Sequence, residues 1–194
     1  NPIAEMCEVG SNLVDAKTGR CKIPGFYDDV IMPTRSELED FRNSGFSLSD
    51  FKKDHQFKSL RTKDRMDAMK RIWALPTFEV HGIVGGYSGA GVKTVIPPYA
   101  EAKISMRLVP NMNPKSIVRQ LKAKIRKLNP DVDVFPQHHL MPYRAVTSGK
   151  HADAIRRALH FAFKKEPVFV REGGSIGAVL TMEKLLKAPV LFLG

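Results

Sequence analysis

The stretch from Phe78 to Pro110 limits what this chain can become more than any other, because it joins two alternating apolar runs through a glycine cluster and two consecutive prolines. Ala100, Ala102, Ile104, Met106 and Leu108 alternate with Glu101, Lys103, Ser105 and Arg107. Successive side chains of a strand point to opposite faces, so this pattern predicts a half-buried strand with Arg107 on its wet face. Upstream, Phe78, Val80 and Val84 alternate with Glu79, His81 and Ile83 and predict an earlier strand. Between the two, Gly85, Gly86, Gly89 and Gly91 allow a tight connection, and Pro97-Pro98 keeps it from being helical.

A glycine-rich turn ending in Lys93-Thr94 invites comparison with a phosphate-binding loop, and the residues exclude it. Val92 separates the last glycine from the lysine, and Val95-Ile96-Pro97-Pro98 cannot open the helix that would aim amides at an anion. Gly89-Ala90-Gly91 likewise lacks the third glycine and the helix of a dinucleotide fingerprint.

Around this centre the pattern is mostly helical. Asn1-Pro2 caps a first helix, with a turn over residues 15–20 and Gly19 as its stop. Residues 24–64 are the least periodic; Ser36 and Ser47 each cap a short helix, over residues 36–42 and 47–53. Asp28-Asp29 is read as a polar turn rather than a catalytic carboxylate pair, since no base or metal ligand lies near it in sequence. Residues 63–73 place Met66, Met69 and Trp73 at helical spacing before Pro76. Asn113-Pro114 opens an amphipathic helix whose apolar stripe is Ile117, Val118, Leu121, Ile125 and Leu128, and whose other face is basic. A third strand is expected over residues 131–135 and a last helix over residues 151–165, with Ile155, Leu159, Ala162 and Phe163 facing a core. Beyond Glu166-Pro167 the pattern changes to short apolar strands, residues 168–170 and 189–193, flanking a helix over residues 176–186. Such runs suit parallel strands buried on both faces.

The expected fold class is therefore α+β. A two-layer sandwich of an antiparallel sheet with helices on one face spans residues 1–165, divided into an irregular helical section (24–76) and a sheet-and-helix core (77–165). A fragment of an α/β domain follows over residues 166–194. A free sheet edge on each of two copies could pair into one continuous sheet.

Charge and cysteine content narrow the function classes. A net charge of +11, from 31 Lys+Arg against 20 Asp+Glu, raises nucleic acid as a partner, but the cations fall in short pairs such as Lys52-Lys53 and Arg156-Arg157 without interleaved aromatics. Solvated helix faces account for them. Cys7 and Cys21 lack metal-ligand spacing and are expected to be reduced thiols of a cytoplasmic protein. No apolar run reaches the roughly 20 residues of a membrane span, and no signal peptide is read. Both ends have the look of cuts within a longer chain.

Several motifs carry a resemblance: His81-Gly82-Ile83, Ser88-Gly89, Lys93-Thr94-Val95-Ile96-Pro97, the run Arg107 to Met112, and Arg171-Glu172-Gly173-Gly174-Ser175-Ile176. In order and approximate spacing they resemble the lid, or dimerisation, domain of the carnosinase and cytosolic non-specific dipeptidase family of di-zinc metallopeptidases, a group that includes aminoacylases and carboxypeptidase G. The resemblance implies a homodimeric enzyme that hydrolyses dipeptides or acyl-amino acids with two zinc ions, or manganese in their place. None of the family's metal ligands matches a position here, so it also implies that this chain alone holds no metal and is inactive.

Three positions match residues that the family's lid contributes to the active site, and two more lie in the Glu-Gly-Gly-Ser loop of the fragment that follows it. Thr94 matches a threonine donated across the dimer toward the reacting carbonyl, and Arg107 an arginine that holds the substrate's terminal carboxylate. His138 matches a lid histidine near the substrate, with His139 its competitor for that role. Glu172 corresponds to a contact for the substrate amine and Ser175 to a carboxylate-binding hydroxyl. A trans-acting histidine of the family would fall just before Asn1. Gly177 departs from the family, whose members carry proline there, which bears on the local loop conformation. His81 is read as strand packing. The reading from another class is a stand-alone basic dimerisation or binding module without hydrolase activity.

Overall fold

The computed structural model describes residues 1–172 and 176–193. In chain order these form α1 (Pro2–Leu13), α2 (Arg35–Asn43), α3 (Leu48–Asp54), α4 (Arg65–Trp73), β1 (Thr77–Gly85), β2 (Ala100–Arg107), α5 (Pro114–Leu128), α6 (Lys150–Phe163) and α7 (Gly177–Leu186). They divide into two compact units. The first comprises Asn1–Asp29, Pro76–Arg107 and Met112–His139; the second comprises Val30–Leu75, Leu108–Asn111 and Leu140–Gly194.

In the first unit α1 begins where the Asn1 side chain accepts from the Ile3 amide at 3.1 Å, with Pro2 in the first helical position. Its exit is the predicted turn, closed by Gly19 N–H donating to the Asp15 carbonyl at 2.7 Å. The helix lies against β2 and α5. Asn113 caps α5 by accepting from Lys115 and Ser116 amides, and Ile117, Leu121 and Ile125 bury the expected stripe. Val9, Leu13, Phe26 and Phe78 are buried in the same unit.

β1 and β2 form an antiparallel pair in which Thr77 stands opposite Arg107 and Gly85 opposite Ala100. This small sheet packed against helices is the α+β architecture expected from the pattern. β2 keeps its alternation, half-buried at Ala100, Ala102, Ile104 and Met106. β1 does not. The register slips between Val80 and Gly82, so His81 is an extra residue of a β-bulge. One inserted residue reverses the faces beyond it: Val80 stands opposite Ile104 and Ile83 opposite Ala102, while Val84 stands opposite Glu101. Ile83, rather than Val84, therefore continues the face begun by Phe78 and Val80.

In the second unit, α2 is opened by Thr34 and not by Ser36. Thr34 and Glu37 form a capping box in which the Thr34 hydroxyl accepts from the Glu37 amide and the Glu37 carboxylate accepts from the Thr34 amide. α3 is capped by Ser47 as expected, and α4 by Asp64. Phe41, Met69 and Ala74 are fully buried and are packed by Leu38, Phe46, Met66 and Trp73. The Trp73 ring meets Phe41 edge-on at 4.9 Å between centroids.

The three further strands suggested by apolar patterning, at residues 131–135, 168–170 and 189–193, join no ladder; among the described residues the sheet is two-stranded. Apolar character makes a strand only where a neighbouring backbone pairs its polar groups. At Val190 a side chain takes that place: the Tyr143 hydroxyl accepts from Val190 N at 3.1 Å and lies 3.0 Å from Val190 O, to which it donates.

Candidate functional site

Thr94 lies in the 86–99 connection between the strands, which is ordered by its own side chains. The Tyr87 hydroxyl donates to the Ala90 carbonyl at 2.7 Å, and the Lys93 ammonium sits 4.7 Å from the centre of the Tyr87 ring. Gly86 has φ +72°, a backbone angle that favours glycine; a Cβ there would stand 2.7 Å from Ile3 Cδ1 and would push only the end of that side chain aside. Thr94 itself is exposed, and its neighbours Val92, Val95 and Ile96 are 90%, 75% and 71% exposed.

Arg107 closes β2. It is half-buried rather than on a fully wet face; the residues that follow it, Leu108 and Val109, are buried. Asn111 then adopts φ +76°, a left-handed angle that asparagine tolerates. His138 and His139 are both exposed, in a segment without regular structure, and their surroundings do not choose between them. His81 is also exposed; at the bulge its Nε2 hydrogen-bonds the Ser105 hydroxyl across the sheet, so it is not buried packing.

Thr94, Arg107 and His138 belong to the first unit and Glu172 to the second. Ser175 lies outside the described residues, as do Gly173 and Gly174. Two open depressions in the second unit, of about 440 and 330 Å³, are lined around His151 and Glu183 and around Arg156 and Glu166, and include none of the candidate residues.

The sequence reading missed what holds the Arg171-Glu172 segment. The Arg171 guanidinium donates through Nε to Glu37 Oε1 at 2.8 Å and through Nη2 to Oε2 at 2.9 Å, while Nη1 donates to the Ile31 carbonyl at 2.7 Å. Arg144 adds a second cation 3.4 Å from Glu37 Oε1. The Arg171 side chain is 9% exposed and that of Glu37 16%. The signal available was the capping-box spacing Thr34-x-x-Glu37, which Ser36-x-x-Glu39 shares.

Burial raises the Glu37 pKa, but the Arg171 hydrogen bonds, the Thr34 amide and the two arginine charges outweigh it and lower the value from 4.5 to about 2. A carboxyl with a lower pKa in the folded state stabilises fully above its unfolded value and loses that stabilisation as pH falls through the folded one. We therefore expect wild type to exceed Glu37→Gln by about 2 kcal/mol at pH 7, a figure discounted for partial solvent screening. The gap should close between pH 4.5 and about 2. Urea titrations of both proteins across this range check it; a gap independent of pH would contradict it.

Zinc needs several His and carboxylate ligands converging on one point. Among the described residues no group of three or more His, Cys, Asp or Glu could hold a metal ion, so those residues do not fit such a centre. Nor is any described helix long and apolar enough to cross a membrane.

Residues 1–133 match the peptidase dimerisation domain of the M20 peptidases. The chain belongs to this family. Over 99% of its length it is 32% identical to the Cys-Gly metallodipeptidase of Candida albicans and 25% identical to the human Beta-Ala-His dipeptidase. It covers 41% and 39% of those two proteins, so this M20 chain spans about two fifths of the curated relatives that it matches. Its fold superposes with TM-score 0.85 on an M20 family metallo-carboxypeptidase from Sulfolobus solfataricus, at 30% identity, over 95% of this chain and 42% of that one.

Proposed function

We propose that this M20 chain is the lid and dimerisation region of a zinc-dependent, cytoplasmic metallopeptidase that hydrolyses dipeptides or related amides. Residues 1–165 form the lid and residues 166–194 part of a catalytic domain. The observation that carries the reading is the surface beside Thr94: a sheet that is two-stranded among the described residues, continued by a connection whose Val92, Val95 and Ile96 face solvent. Apolar area of this kind is stabilised by cover, at about 25 cal/mol per Å² removed from water. A second copy covers it with the same surface under two-fold symmetry.

In this reading Thr94 reaches the partner subunit's reacting carbonyl as a hydroxyl donor, and Arg107 holds the substrate's terminal carboxylate with its planar fork. His138 approaches the substrate, Glu172 meets its amine and Ser175 helps bind a carboxylate. Zinc, when held by the other parts of the enzyme, would supply an activated water. This chain binds, orients and closes.

Sedimentation at two salt concentrations tests the assembly. The chain, 21.7 kDa as a monomer, is expected to sediment at twice that mass with no dependence on salt. Val95→Glu combined with Ile96→Glu is expected to sediment as a monomer, by placing charge in the covered surface. A wild-type monomer at both salts would remove the support for Thr94 acting across a dimer.

A further inference from the structure

The Glu172 assignment leaves open what fixes a loop residue well enough to recognise an amine. Glu172 is exposed and lies outside any helix or strand. Its predecessor is held far more tightly, since one guanidinium makes three hydrogen bonds, two to Glu37 and one to the Ile31 carbonyl. A planar fork on a carboxylate fixes direction as well as distance.

Glu37 is itself immobilised. Its Oε2 accepts from the Thr34 amide at 2.8 Å, and its own amide donates to the Thr34 hydroxyl at 3.3 Å, so the carboxylate that receives Arg171 is part of a helix terminus. Arg144 stands on the same carboxylate from a third segment. Consecutive Cα atoms lie about 3.8 Å apart, so anchoring Arg171 confines Glu172 to a small volume.

We infer that Glu37 is a positioning residue for substrate recognition: through Arg171 it sets where Glu172 meets the free amine of a dipeptide, across 134 residues of sequence. The inference rests on the reading of Glu172 as the amine contact. An ion pair that merely holds the fold together would act on all substrates alike. A positioning residue acts on those that carry the amine.

The test uses the intact enzyme. KM and kcat are measured for a dipeptide and for its N-acetylated counterpart, in wild type, Glu37→Gln, Arg171→Lys, Glu172→Gln and the double variant Glu37→Gln/Glu172→Gln. Hydrogen exchange is followed at residues 170–172 and, as a folding control, in α5.

Both Glu37→Gln and Arg171→Lys are expected to raise KM for the dipeptide about tenfold, the loss of one well-placed charged contact. They should leave kcat and the acetylated substrate within twofold, and speed exchange at 170–172 by more than the loss of overall stability speeds it in α5. The double variant should be no worse than Glu172→Gln, since both substitutions remove the same interaction. If Glu172→Gln raises KM and Glu37→Gln does not, the positioning role is overturned and the amine reading stands. If Glu172→Gln leaves KM unchanged, the amine reading falls, and the positioning role for amine recognition falls with it. Unchanged exchange at 170–172 in Glu37→Gln overturns the positioning role in either case.

Discussion

Replacing Arg107 with alanine in the intact enzyme is expected to raise KM for a dipeptide about a hundredfold, with kcat changed by less than about threefold, because a paired charge contact of roughly 2.7 kcal/mol is lost from ground and transition states alike. The position supports this. Arg107 ends a paired strand opposite Thr77 and is half-buried, so the backbone that carries its fork is fixed by the ladder. Arg107→Lys retains the charge but not the fork, and should recover about a tenth of the lost affinity. A substrate whose C-terminal carboxylate is replaced by an amide supplies the control, and wild type and Arg107→Ala should then bind it alike. Steady-state kinetics on the two substrates reads the result. An unchanged KM for the free carboxylate would end the anchor assignment, and an equal loss on both substrates would mean that Arg107 supports the fold instead.

What was legible in the sequence follows the distance over which each feature is decided. Helix ends depend on a few neighbouring residues, and Asn1, Ser47 and Asn113 stand as the caps they were read to be. The exception is instructive: Ser36 is as good a cap by type as Thr34 and also has a Glu three residues on, Glu39, but in the structure the capping box closes between Thr34 and Glu37 while Glu39 pairs with Arg42. Strand alternation was legible in β2 and misleading in β1, where the bulge at His81 moved Ile83 onto the face assigned to Val84. A bulge depends on the partner strand and leaves no local signature in the residues 78–85. The apolar runs at 131–135, 168–170 and 189–193 failed for the same reason at longer range, because a ladder needs an edge to pair with.

The candidate site shows the same division. Arg107, Thr94 and Glu172 could be singled out as residue types within motifs, whereas the fork between Glu37 and Arg171 joins segments 134 residues apart and had to be seen folded. His81 was assigned to packing on the strength of its strand. In the structure it sits exposed at the bulge with Ser105, as a residue displaced from the ladder can.

Thr94 carries the other large expectation. Thr94→Val preserves shape and removes the hydroxyl, and in the intact enzyme kcat is expected to fall by about 10² to 10³, or roughly 2.7–4 kcal/mol, with KM little changed, as for loss of one oxyanion donor. Thr94→Ser should retain most of the rate. The more telling measurement is which subunit the hydroxyl serves. Thr94 stands among Val92, Val95 and Ile96, the exposed apolar residues assigned to the dimer surface, so a second copy that covers them brings Thr94 against itself. Donation across the dimer has a consequence that donation within a subunit lacks. When Thr94→Val subunits are dissociated and reassembled with Glu172→Gln subunits, one site of each mixed dimer combines an intact Glu172 with its partner's intact threonine. Random pairing restores about a quarter of all sites, because half of the two-fold dimers are mixed and one of their two sites is whole. Measured at substrate concentrations well below KM, where the Glu172→Gln subunits are impaired, activity should therefore rise on mixing toward about a quarter of wild type. If Thr94 serves its own subunit, every site retains one lesion and mixing restores nothing. Activity that stays at the average of the two variants, in a sample shown by mass to contain mixed dimers, would place the hydroxyl within its own subunit and leave the apolar surface an assembly contact without a catalytic part.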